Sequence, residues 1–527
     1  MGEFISDGIE LSPAPKWDLV VLTARNAGQK QLFELELRRL RLAERNFCAQ
    51  IIVLEDSPRN AKIGSGGATL NALLFLYKNF GGESFFAHNR VLLLHSGGLS
   101  QRILHVALTG KAFMLMPDGH TLLEHKLLSY RLVGSVSQFP PAVFVPFDSE
   151  LFLMAHQSTI EVAEQHGVYL LGERQPKRPK SGGEDSNCSK EGKTDFCHSL
   201  KRVLQKPRRE EIRRVNAILE ERSETGEELA LTDSCYLIGH NLAIELVRLR
   251  QKMHGVPLNE LCCYRDFLGP LGYASEKERK IHFQEDVPDL RKWQLALWDL
   301  MHCKKAHLLD LGPQSFFHFG TSNEVLAHFF GTHSVFRKKF LRNSQIENVL
   351  YSMVEDPKKV SGNSLLEWCD LNGNCEVGDR CILSGLAYDG HLPLQIFDGI
   401  CATTFPIELF RDGDAAATSF VTVAFHRDDD IKRSSEDSLI WFGHRLDVSL
   451  PASSLWNAPL FSTHPNPGES LRATLDTIAR LGQNGQQKSD QSTLHTGGTQ
   501  LLSVSQVLQK VDAKKVLRMR EKFIKKY

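Results

Sequence analysis

The chain has 527 residues, and its 63 Lys and Arg side chains balance its 63 Asp and Glu side chains, so the formal net charge is zero. Because nucleic-acid-binding proteins usually carry a basic excess that neutralises phosphates, this balance argues against a nucleic-acid polymer as partner. A hydrophobic fraction of 42% and a charged fraction of 24% are typical of a soluble globular protein. At roughly 100 to 200 residues per domain, the length predicts two to four domains.

The sequence has no sign of a membrane or secretory protein. No uncharged apolar run approaches the ~18 residues that a membrane span needs, and the N-terminal stretch has acidic residues where a signal peptide would need a basic start. The 11 cysteines include no CxxC pair and no Cys/His quartet at zinc-ligand spacing, which predicts reduced thiols. We therefore expect a cytoplasmic protein with no membrane partner.

Strand and helix patterns alternate over about the first 170 residues. Runs of β-branched residues or leucines predict strands over 18–23, 51–55, 91–95, 142–145 and 167–171. Helical periodicity between them is clearest over 31–46 and 70–79. This alternation favours a mostly parallel, doubly wound sheet, whose ligands bind beyond the carboxyl ends of its strands.

A six-residue repeat lies further along the chain, between residues 365 and 388. Leu365, Leu371, Val377 and Leu383 follow one another at intervals of six. That period is the signature of a parallel β-helix, here a short one of about four hexads. The cysteines of the same stretch share the period, so we interpret them as rungs of a packed ladder rather than metal ligands. They are Cys369, Cys375 and Cys381.

Composition and pattern divide the chain into four parts. We predict an N-terminal extension over 1–16, an α/β domain over 17–335 with a mobile insertion over 172–195, a short β-helix domain over 336–450, and a C-terminal region over 451–527. The last region contains a flexible loop over 482–498. It ends in a basic amphipathic helix from Val507, for which packing on the protein body is favoured over binding to a membrane surface.

Two glycine-rich segments follow predicted strands and open predicted helices. The first is GSGGATLNALL from Gly64, and the second is HSGGLSQR from His95, which is followed by Gly110 and Lys111. Glycines let a backbone approach phosphate oxygens, and amides at a helix N-terminus point towards an anion. Neither segment fits the usual phosphate-loop patterns, and glycine turns at helix starts are common, so each alone is a weak signal.

The second segment combines several phosphate-binding groups. Backbone amides, a hydroxyl and two cations occur on one loop, a combination suited to a nucleoside triphosphate. These groups belong to Gly97, Gly98, Ser100, Arg102 and Lys111. Phosphoryl-type transfer also uses Mg²⁺ held by carboxylates at a strand end, and Asp148 follows the predicted strand 142–145. A loop or helix-capping role is the alternative for Asp148.

Nine segments resemble one known family in their order and approximate spacing. They are WDLVVLTA, IGSGGATLNAL, LLLHSGGLSQR with GK, QHGVYLL, LTDSCY, YRDFLGPLG, FFHFGTSNEVL, EVGDRCILSG and SLWNAPLF. The family is that of the fucose-1-phosphate guanylyltransferases, also called GDP-L-fucose pyrophosphorylases, and the resemblance extends from about Trp17 through essentially the whole chain. It implies formation of GDP-L-fucose and pyrophosphate from GTP and β-L-fucose 1-phosphate, with Mg²⁺ as cofactor, in the cytosol. It also implies a Rossmann-like nucleotidyltransferase domain over 17–335 followed by a C-terminal parallel β-helix domain.

The resemblance further implies roles for individual residues. Arg102 and Lys111 would stabilise charge at the α-phosphate and on the departing pyrophosphate, and Asp148 would hold the metal ion. The nucleotide-binding positions would be Thr23, Ala24, Gly64, Gly66, Gly67, Thr69, Gly97, Gly98 and Ser100. Three residues of the FFHFGTSNE motif are candidate sugar contacts, with a turn at the junction with the β-helix as the alternative. They are His318, Gly320 and Thr321.

One departure from the family affects the expected metal site. The family pattern EIDxYxDF is ELCCYRDF here, so Cys262 replaces an aspartate. If that aspartate is the second metal ligand, this chain must use Asp266 or Glu260, or bind the metal less well. A catalytically weak homologue that binds a sugar nucleotide and regulates a partner is therefore the alternative function. The residues themselves leave the base preference and the oligomeric state open.

Overall fold

The computed structural model describes most of the chain in two compact units. The described residues are 17–45, 47–59, 61–134, 150–172, 197–222, 226–272, 287–313, 315–341, 347–409, 417–433, 439–446, 452–483 and 501–526. The first unit draws on 1–30, 41–95 and 128–317, and the second on 31–40, 96–127 and 318–527. Four predicted segments lie wholly or almost wholly outside the described residues, namely 1–16, 142–145, 172–195 and 482–498. The second unit resumes at residue 318, whereas the sequence predicts a domain boundary after 335, and the predicted domain limits stay predictions.

The first unit begins with a three-stranded parallel sheet in the order β2, β1, β3. Its strands are β1 (Trp17–Ala24), β2 (Cys48–Glu55) and β3 (Val91–Leu94). β1 is the central strand, and its Val20 and Val21 side chains are 0% exposed. A continuous apolar run is expected for a parallel strand that is covered on both faces. The first three predicted strands are therefore confirmed.

The second sheet of this unit has six strands and is mixed. They are β4 (Leu151–Thr159), β5 (Gly167–Leu171), β6 (Cys197–Gln205), β7 (Ile218–Arg222), β8 (Glu228–Ile238) and β9 (Ala306–Pro313). The order is β4, β9, β6, β5, β8, β7, with a further pairing between β4 and β8, and only β4 and β9 run parallel. The prediction of a mostly parallel sheet over the first 170 residues is thus right only for β1 to β3. β7 and β8 show why, because residues 223–227 between them are too few for the crossover that parallel neighbours need.

Helices occur throughout the described chain. They are α1 (Ala27–Leu40), α2 (Gly64–Asn79), α3 (Glu83–His88), α4 (Leu122–Gly134), α5 (Ile160–Ala163), α6 (Arg209–Arg214), α7 (His240–Lys252), α8 (Pro288–Met301), α9 (Ser322–Phe330), α10 (Val335–Phe340), α11 (Pro467–Gln483), α12 (Val504–Lys510) and α13 (Ala513–Ile524). The two predicted helices are α1 and α2, and each begins earlier than its periodicity indicates. No helix in the described part of the chain has both the length and the apolar character that crossing a membrane requires.

The second unit is built largely on short parallel strands. They are β10 (Val349–Leu350), β11 (Met353–Val354), β12 (Leu365–Glu367), β13 (Asp370–Leu371), β14 (Cys375–Val377), β15 (Ile382–Ser384), β16 (Ala387–Tyr388) and β17 (Leu394–Ile396). Three parallel ladders result, in the orders β10-β12-β15, β11-β13-β16 and β14-β17. The first ladder continues into β18 (Ile400–Leu409), which pairs antiparallel with β19 (Ala417–His426).

The hexapeptide period corresponds directly to these strands. The four residues at the six-residue period lie one in each of β12, β13, β14 and β15, and they are at most 3% exposed. The three cysteines that share the period are at most 5% exposed. Burial raises the pKa of the Cys369 thiol to about 12 and that of Cys381 to about 11, so both remain protonated. The prediction that they pack as rungs of a ladder agrees with this arrangement.

The chain after β19 adds two small antiparallel pairs and the three helices α11, α12 and α13. The pairs are β20 (Ile440–Trp441) with β21 (His444–Arg445), and β22 (Phe461–Ser462) with β23 (Leu501–Leu502). The single helix predicted from Val507 is two helices, because the Asp512 carboxylate accepts a hydrogen bond from the Lys515 amide at 2.9 Å and caps the start of α13. Val516 and Phe523 of α13 are buried, as the predicted packing on the protein body requires.

Candidate functional site

The segment from Ser96 to Lys111 follows β3 and belongs to the second unit. The prediction that it opens a helix is wrong, because it consists of turns, with short 3-10 turns at Leu104–Val106 and Lys111–Phe113. The Ile103 amide, for example, donates a hydrogen bond to the Ser100 carbonyl oxygen at 2.8 Å, three residues back. Any anion bound here therefore meets loop amides and side chains rather than the N-terminus of an α-helix.

Three residues of this segment have left-handed backbone conformations. They are Gly98 (φ +127°), Ser100 (φ +44°) and Gly110 (φ +73°). A serine in this region is uncommon, and such conformations cluster at functional sites. A Cβ on Gly98 would meet no atom within 4 Å, so packing does not account for the glycine at that position. The left-handed backbone of Gly98 accounts for the glycine. Because Gly98 has no side chain, a ligand can approach its backbone closely.

Close packing at Gly110 fixes the backbone that carries Lys111. A Cβ on Gly110 would lie 3.2 Å from the Phe33 ring and 3.3 Å from the Ser96 carbonyl oxygen. The Phe33 ring also contacts that of Phe113, with ring centroids 5.1 Å apart. Phe33 therefore packs against residues on both sides of Lys111, namely Gly110 and Phe113.

Two cations and a carboxylate of the second unit act on one another. Burial lowers the pKa of the Lys111 amine, the charge of Glu324 raises it, and the charge of Arg102 lowers it, leaving it below the usual value. The Ser322 hydroxyl donates a hydrogen bond to the Arg102 carbonyl oxygen at 3.4 Å. The structure thus brings together two motifs that are far apart in sequence, HSGGLSQR with GK and FFHFGTSNEVL. A half-buried lysine beside an exposed arginine can bind and neutralise an anion such as a polyphosphate.

The FGTSNE motif has a clear structural role at the start of α9. The Thr321 hydroxyl accepts a hydrogen bond from the Glu324 amide at 3.2 Å, and the Glu324 carboxylate accepts one from the Thr321 amide at 2.9 Å. The same carboxylate accepts from the Gly320 amide at 2.6 Å and lies 3.0 Å from His318 Nδ1. A Cβ on Gly320 would lie 2.1 Å from the His318 ring. The alternative of a turn therefore describes these residues, and sugar contacts by them stay a prediction.

Glu324 is the residue of this site that the sequence analysis misses. Burial raises the pKa of its carboxyl, but the bonds to His318 and to the Gly320 and Thr321 amides outweigh burial and hold the pKa below its usual value. Glu324 is therefore ionised and supplies the negative charge next to Lys111. The pattern Thr-Ser-Asn-Glu is a capping-box signature, and this signal could have identified it.

In the first unit, the glycines of GSGGAT form the first turn of α2 against another segment of backbone. A Cβ on Gly64, whose φ is +71°, would lie 2.2 Å from the Leu261 carbonyl oxygen, and the Gly66 amide donates a hydrogen bond to that oxygen at 2.8 Å. A Cβ on Gly67 would lie 2.9 Å from the Ile63 side chain. Close backbone approach thus accounts for the glycines, and nucleotide binding by Gly64, Gly66 and Gly67 stays a prediction.

The other nucleotide-binding positions predicted in this unit lie at strand and helix ends. Thr23 and Ala24 are the buried last residues of β1, and the Ala24 carbonyl oxygen accepts a hydrogen bond from the Asp56 amide at 2.8 Å. The Thr69 hydroxyl donates to the Ser65 carbonyl oxygen at 2.9 Å and lies 3.2 Å from His95 Nε2. Thr69 thus connects the glycine-rich turn to the residue that follows β3.

The predicted metal ligands receive no support from the described residues. Asp266 is 0% exposed, and its two oxygens accept hydrogen bonds from the Cys262 amide (2.7 Å), from Arg265 Nε (2.8 Å) and Nη2 (3.1 Å), and from Gln294 Nε2 (3.1 Å). Because four donors bond to its oxygens, the Asp266 carboxylate stabilises the Cys262–Arg265 turn instead of facing a cation. Asp148 lies outside the described residues. Within the described ranges, no group of three or more His, Cys, Asp or Glu side chains is arranged to hold a metal ion.

The chain is similar to sugar-nucleotide-forming proteins. The family model of the fucose pyrophosphorylase domain matches residues 83–473. Fucose-1-phosphate guanylyltransferase from Mus musculus is 25% identical, over 96% of this chain and 92% of its own length. The protein of the same name from Homo sapiens is also 25% identical, over 96% of this chain and 90% of its own length.

Two further comparisons cover less of this chain. The bifunctional fucokinase/GDP-fucose pyrophosphorylase of Arabidopsis thaliana is 26% identical over 60% of this chain and 32% of its own length. Among solved structures, the UTP-bound UGPase from Acinetobacter baumannii aligns with 61% of this chain at 12% identity, with a TM-score of 0.21.

Proposed function

As this chain belongs to the fucose pyrophosphorylase family, we propose that it forms GDP-L-fucose and pyrophosphate from GTP and β-L-fucose 1-phosphate. The relatives that match nearly its whole length carry the name of that activity. The observation that carries the proposal is the electrostatic cluster of Arg102, Lys111 and Glu324 on the strained Ser96–Lys111 segment and the FGTSNE motif.

The proposed reaction is a nucleotidyl transfer. A phosphate oxygen of fucose 1-phosphate attacks the α-phosphorus of GTP, the bond from that phosphorus to the bridging oxygen breaks, and pyrophosphate leaves with the bond electrons. Because the attacking phosphate is already ionised, positioning and charge neutralisation can carry the step without a strong general base. Arg102 and Lys111 are proposed to bind the triphosphate and to neutralise the charge that grows on the departing pyrophosphate.

Within the cluster, the charge of Glu324 favours the ammonium form of Lys111. A carboxylate next to a half-buried amine favours the ammonium form, which is the form that binds phosphate. The capping bonds hold the Glu324 carboxylate in place, so the Lys111 ammonium has a defined counter-charge before the nucleotide arrives. Ser100 and Gly98 are proposed to offer their backbone amides and the Ser100 hydroxyl to the same phosphates.

Mg²⁺ is proposed as the cofactor on the resemblance to the family, with Asp148 as its ligand. A divalent cation would neutralise part of the triphosphate charge. The described residues do not fit such a site, since Asp266 is buried and fully hydrogen-bonded, and so no step of the proposed reaction depends on a metal ligand among them. Loss of turnover in EDTA and its return with added Mg²⁺ would test this part of the proposal.

Two broader features are proposed with the activity. The three parallel ladders of the second unit are proposed to form a short parallel β-helix, which the burial of the period-six residues supports. A cytoplasmic location is proposed because the nine cysteines whose side chains the structure describes are free thiols, as in a reducing compartment.

Pyrophosphate release by the purified full chain tests the function and the base preference together. Fucose 1-phosphate and Mg²⁺ are supplied with GTP, ATP or UTP, separately and in competition. We expect turnover that requires fucose 1-phosphate and is highest with GTP. Absence of turnover above background with every nucleotide would overturn the proposal, and GTP binding without turnover would instead favour the regulatory homologue.

A further inference from the structure

A buried histidine lies in the middle of the proposed triphosphate segment. His105 is 4% exposed, and neither of its ring nitrogens has a hydrogen-bond partner in the part of the chain that the structure describes. Burial, together with the charge of Arg520, lowers the pKa of His105 to about 3, so the ring is neutral at physiological pH. His105 lies in the turn Leu104–Val106, between Arg102 and Lys111 in sequence.

His105 lines a small cavity whose walls are largely apolar. The cavity has a volume of about 30 Å³, which is enough for one water molecule. Its walls include Trp368, Ser384, Thr403 and Arg520. The Thr403 hydroxyl is buried and, within the described ranges, has no hydrogen-bond partner. The cavity is thus lined by two buried residues, His105 and Thr403, whose polar side-chain atoms have no hydrogen-bond partner among the described residues.

Arg520 is held in place by a buried ion pair and by an aromatic ring. Its Nη1 donates a hydrogen bond to the Glu36 carboxylate at 2.7 Å, and the Glu36 side chain is 0% exposed. Arg39 Nε donates to the other oxygen of Glu36 at 2.8 Å. The guanidinium carbons of Arg520 and Arg39 lie 5.2 Å and 5.6 Å from the Trp368 ring centroid. The position of Arg520 is thus fixed independently of His105.

The stacking of successive turns of the parallel ladders explains why there is space for these groups. Tyr351, Trp368 and Gly385 follow one another at intervals of 17 residues, and each has a left-handed φ, of +45°, +58° and +65°. The rings of Tyr351 and Trp368 stack with centroids 4.8 Å apart and an interplanar angle of 13°. Gly385 has no ring, so the stack ends at Trp368, and both Trp368 and Gly385 line the cavity that His105 and Arg520 also line.

We propose, on the basis of the function proposed above, that Arg520 is a positioning residue for the Ser96–Lys111 segment. Arg520, held by Glu36 and Trp368, lines the same cavity as His105 and so limits where the His105 ring can lie. Backbone hydrogen bonds link His105 to the rest of the segment on both sides. Before His105, the Ile103 amide donates to the Ser100 carbonyl oxygen at 2.8 Å. After it, the Gly110 amide donates to the Val106 carbonyl oxygen at 2.7 Å. In this way α13 determines the positions of Arg102 and Lys111.

Kinetics of three variants separate this role from a general contribution to stability. Arg520→Met removes the guanidinium and keeps most of the stem, Arg520→Lys keeps the charge, and Arg518→Met changes an exposed arginine of the same helix. In Arg520→Met we expect the KM for GTP to rise by about tenfold to a hundredfold, as for a displaced binding group. The KM for fucose 1-phosphate should stay within about twofold, and Arg518→Met should match the parent chain.

A merely structural role would give a different pattern. It would lower the fraction of folded enzyme, and hence the apparent kcat, without changing either KM, and that result would overturn the proposal. Because Arg520 acts through His105, the double variant with His105→Leu should raise the KM for GTP no further than the worse single variant. Additive effects of the two changes would also overturn it.

Hydrogen exchange gives a second measurement that does not need activity. Amides of residues 103–110 should exchange faster in Arg520→Met than in the parent chain or in Arg518→Met. Unchanged exchange there would contradict the proposal even if the parent chain lacked turnover, and lack of turnover with faster exchange would overturn only the proposed function. If Arg520→Met fails to fold, His105→Leu provides the same comparisons of KM and of amide exchange.

Discussion

The carbonyl oxygen of Leu261 accepts a hydrogen bond from the Gly66 amide at 2.8 Å, and a Cβ on the neighbouring Gly64 would lie 2.2 Å from the same oxygen. The backbone of the ELCCYRDF segment therefore rests directly on the first turn of α2. The Cys263 amide reinforces this contact by donating to the Ser65 hydroxyl at 3.0 Å. One glycine-rich turn and one departure from the family pattern are thus parts of a single packing arrangement.

Gly64→Ala should destabilise the first unit by about 3 to 5 kcal/mol, because it combines a left-handed backbone with a clash against a main-chain oxygen. Gly226→Ala is the matched control, since its φ is +81° but an added Cβ would meet no atom within 4 Å. It should lose only the ~1 to 2 kcal/mol of the left-handed conformation. Urea unfolding of the two variants measures the difference, and equal losses would contradict the packing account.

Glu367→Gln should change how stability depends on pH. Burial raises the pKa of this carboxyl from 4.5 to about 7, with the charge of Arg520 and the Ser384 hydrogen bond lowering it in part. Because the folded-state pKa lies above the unfolded one, the native state binds more protons between the two values. The stabilisation is complete below about pH 4.5 and is lost as the pH rises through about 7.

The stability of the parent chain relative to Glu367→Gln should therefore fall by about 3 kcal/mol between pH 4.5 and pH 8. Urea unfolding at several pH values measures this slope. Glu376→Gln is the control, because Glu376 is exposed on β14 and its replacement should leave the slope unchanged. If the stability of the parent chain relative to Glu367→Gln rose with pH, the predicted direction of the Glu367 pKa shift would be wrong.

Thr321→Ala should lower stability by about 1 kcal/mol through the loss of the α9 cap, whereas Thr321→Ser, which keeps the hydroxyl, should lose much less. If Thr321 acts only as a cap, neither variant should change the KM for fucose 1-phosphate by more than about twofold. Thermal unfolding and steady-state kinetics give the two readings. A large rise in that KM with intact stability would instead assign Thr321 to the sugar site.

Lys111→Met should reduce kcat/KM for GTP by about 10²- to 10³-fold, as expected for the loss of a charge that stabilises a developing anion. Lys111→Arg should recover part of the activity. Since the pKa of Lys111 is lowered by burial, the alkaline limb of the pH–rate profile should begin below the usual lysine range and move upward in Lys111→Arg. Lys358→Met, which removes an exposed lysine of the same unit, is the control and should leave kcat/KM unchanged.

Asp266→Asn should destabilise the first unit by about 3 to 5 kcal/mol, because it leaves the Arg265 guanidinium without its buried partner. In the enzyme that remains folded, the Mg²⁺ concentration for half-maximal turnover should not change. Asp289→Asn, at the more exposed ion pair with Lys292, should lose less than about 1 kcal/mol. A raised Mg²⁺ requirement in Asp266→Asn would restore the metal role that the sequence predicts.

Local periodicity explains what could be predicted from the sequence. The parallel strands at 365–384 follow from leucines and valine spaced by six, and β1 to β3 follow from continuous apolar runs, because in both cases the pattern and the structure involve neighbouring residues. The helix predicted after Gly97 did not form, because left-handed residues at Gly98 and Ser100 are compatible with glycine-rich sequence but not with a helix.

Contacts between distant segments account for what could not be predicted. The partner of Gly64 is Leu261, and that of the HSGGLSQR segment is the capping box around Glu324, neither of which leaves a periodic signal in sequence. Arg520 is a charged residue on a basic helix, where a surface position is expected, yet it is buried. Its burial depends on Glu36, and no local pattern indicates a pair separated by 484 positions.

That separation has a consequence for biosynthesis. Chains begin to fold from their N-terminal parts while synthesis continues. Glu36 precedes Arg520 by 484 positions and leaves the ribosome before it, so their bond cannot form until α13 has been made. Until then Arg39, three residues from Glu36, is a partner that synthesis has already supplied for this carboxylate. The nascent protein should therefore acquire its ability to hold a triphosphate only after α13 has been synthesised and Arg520 has paired with Glu36.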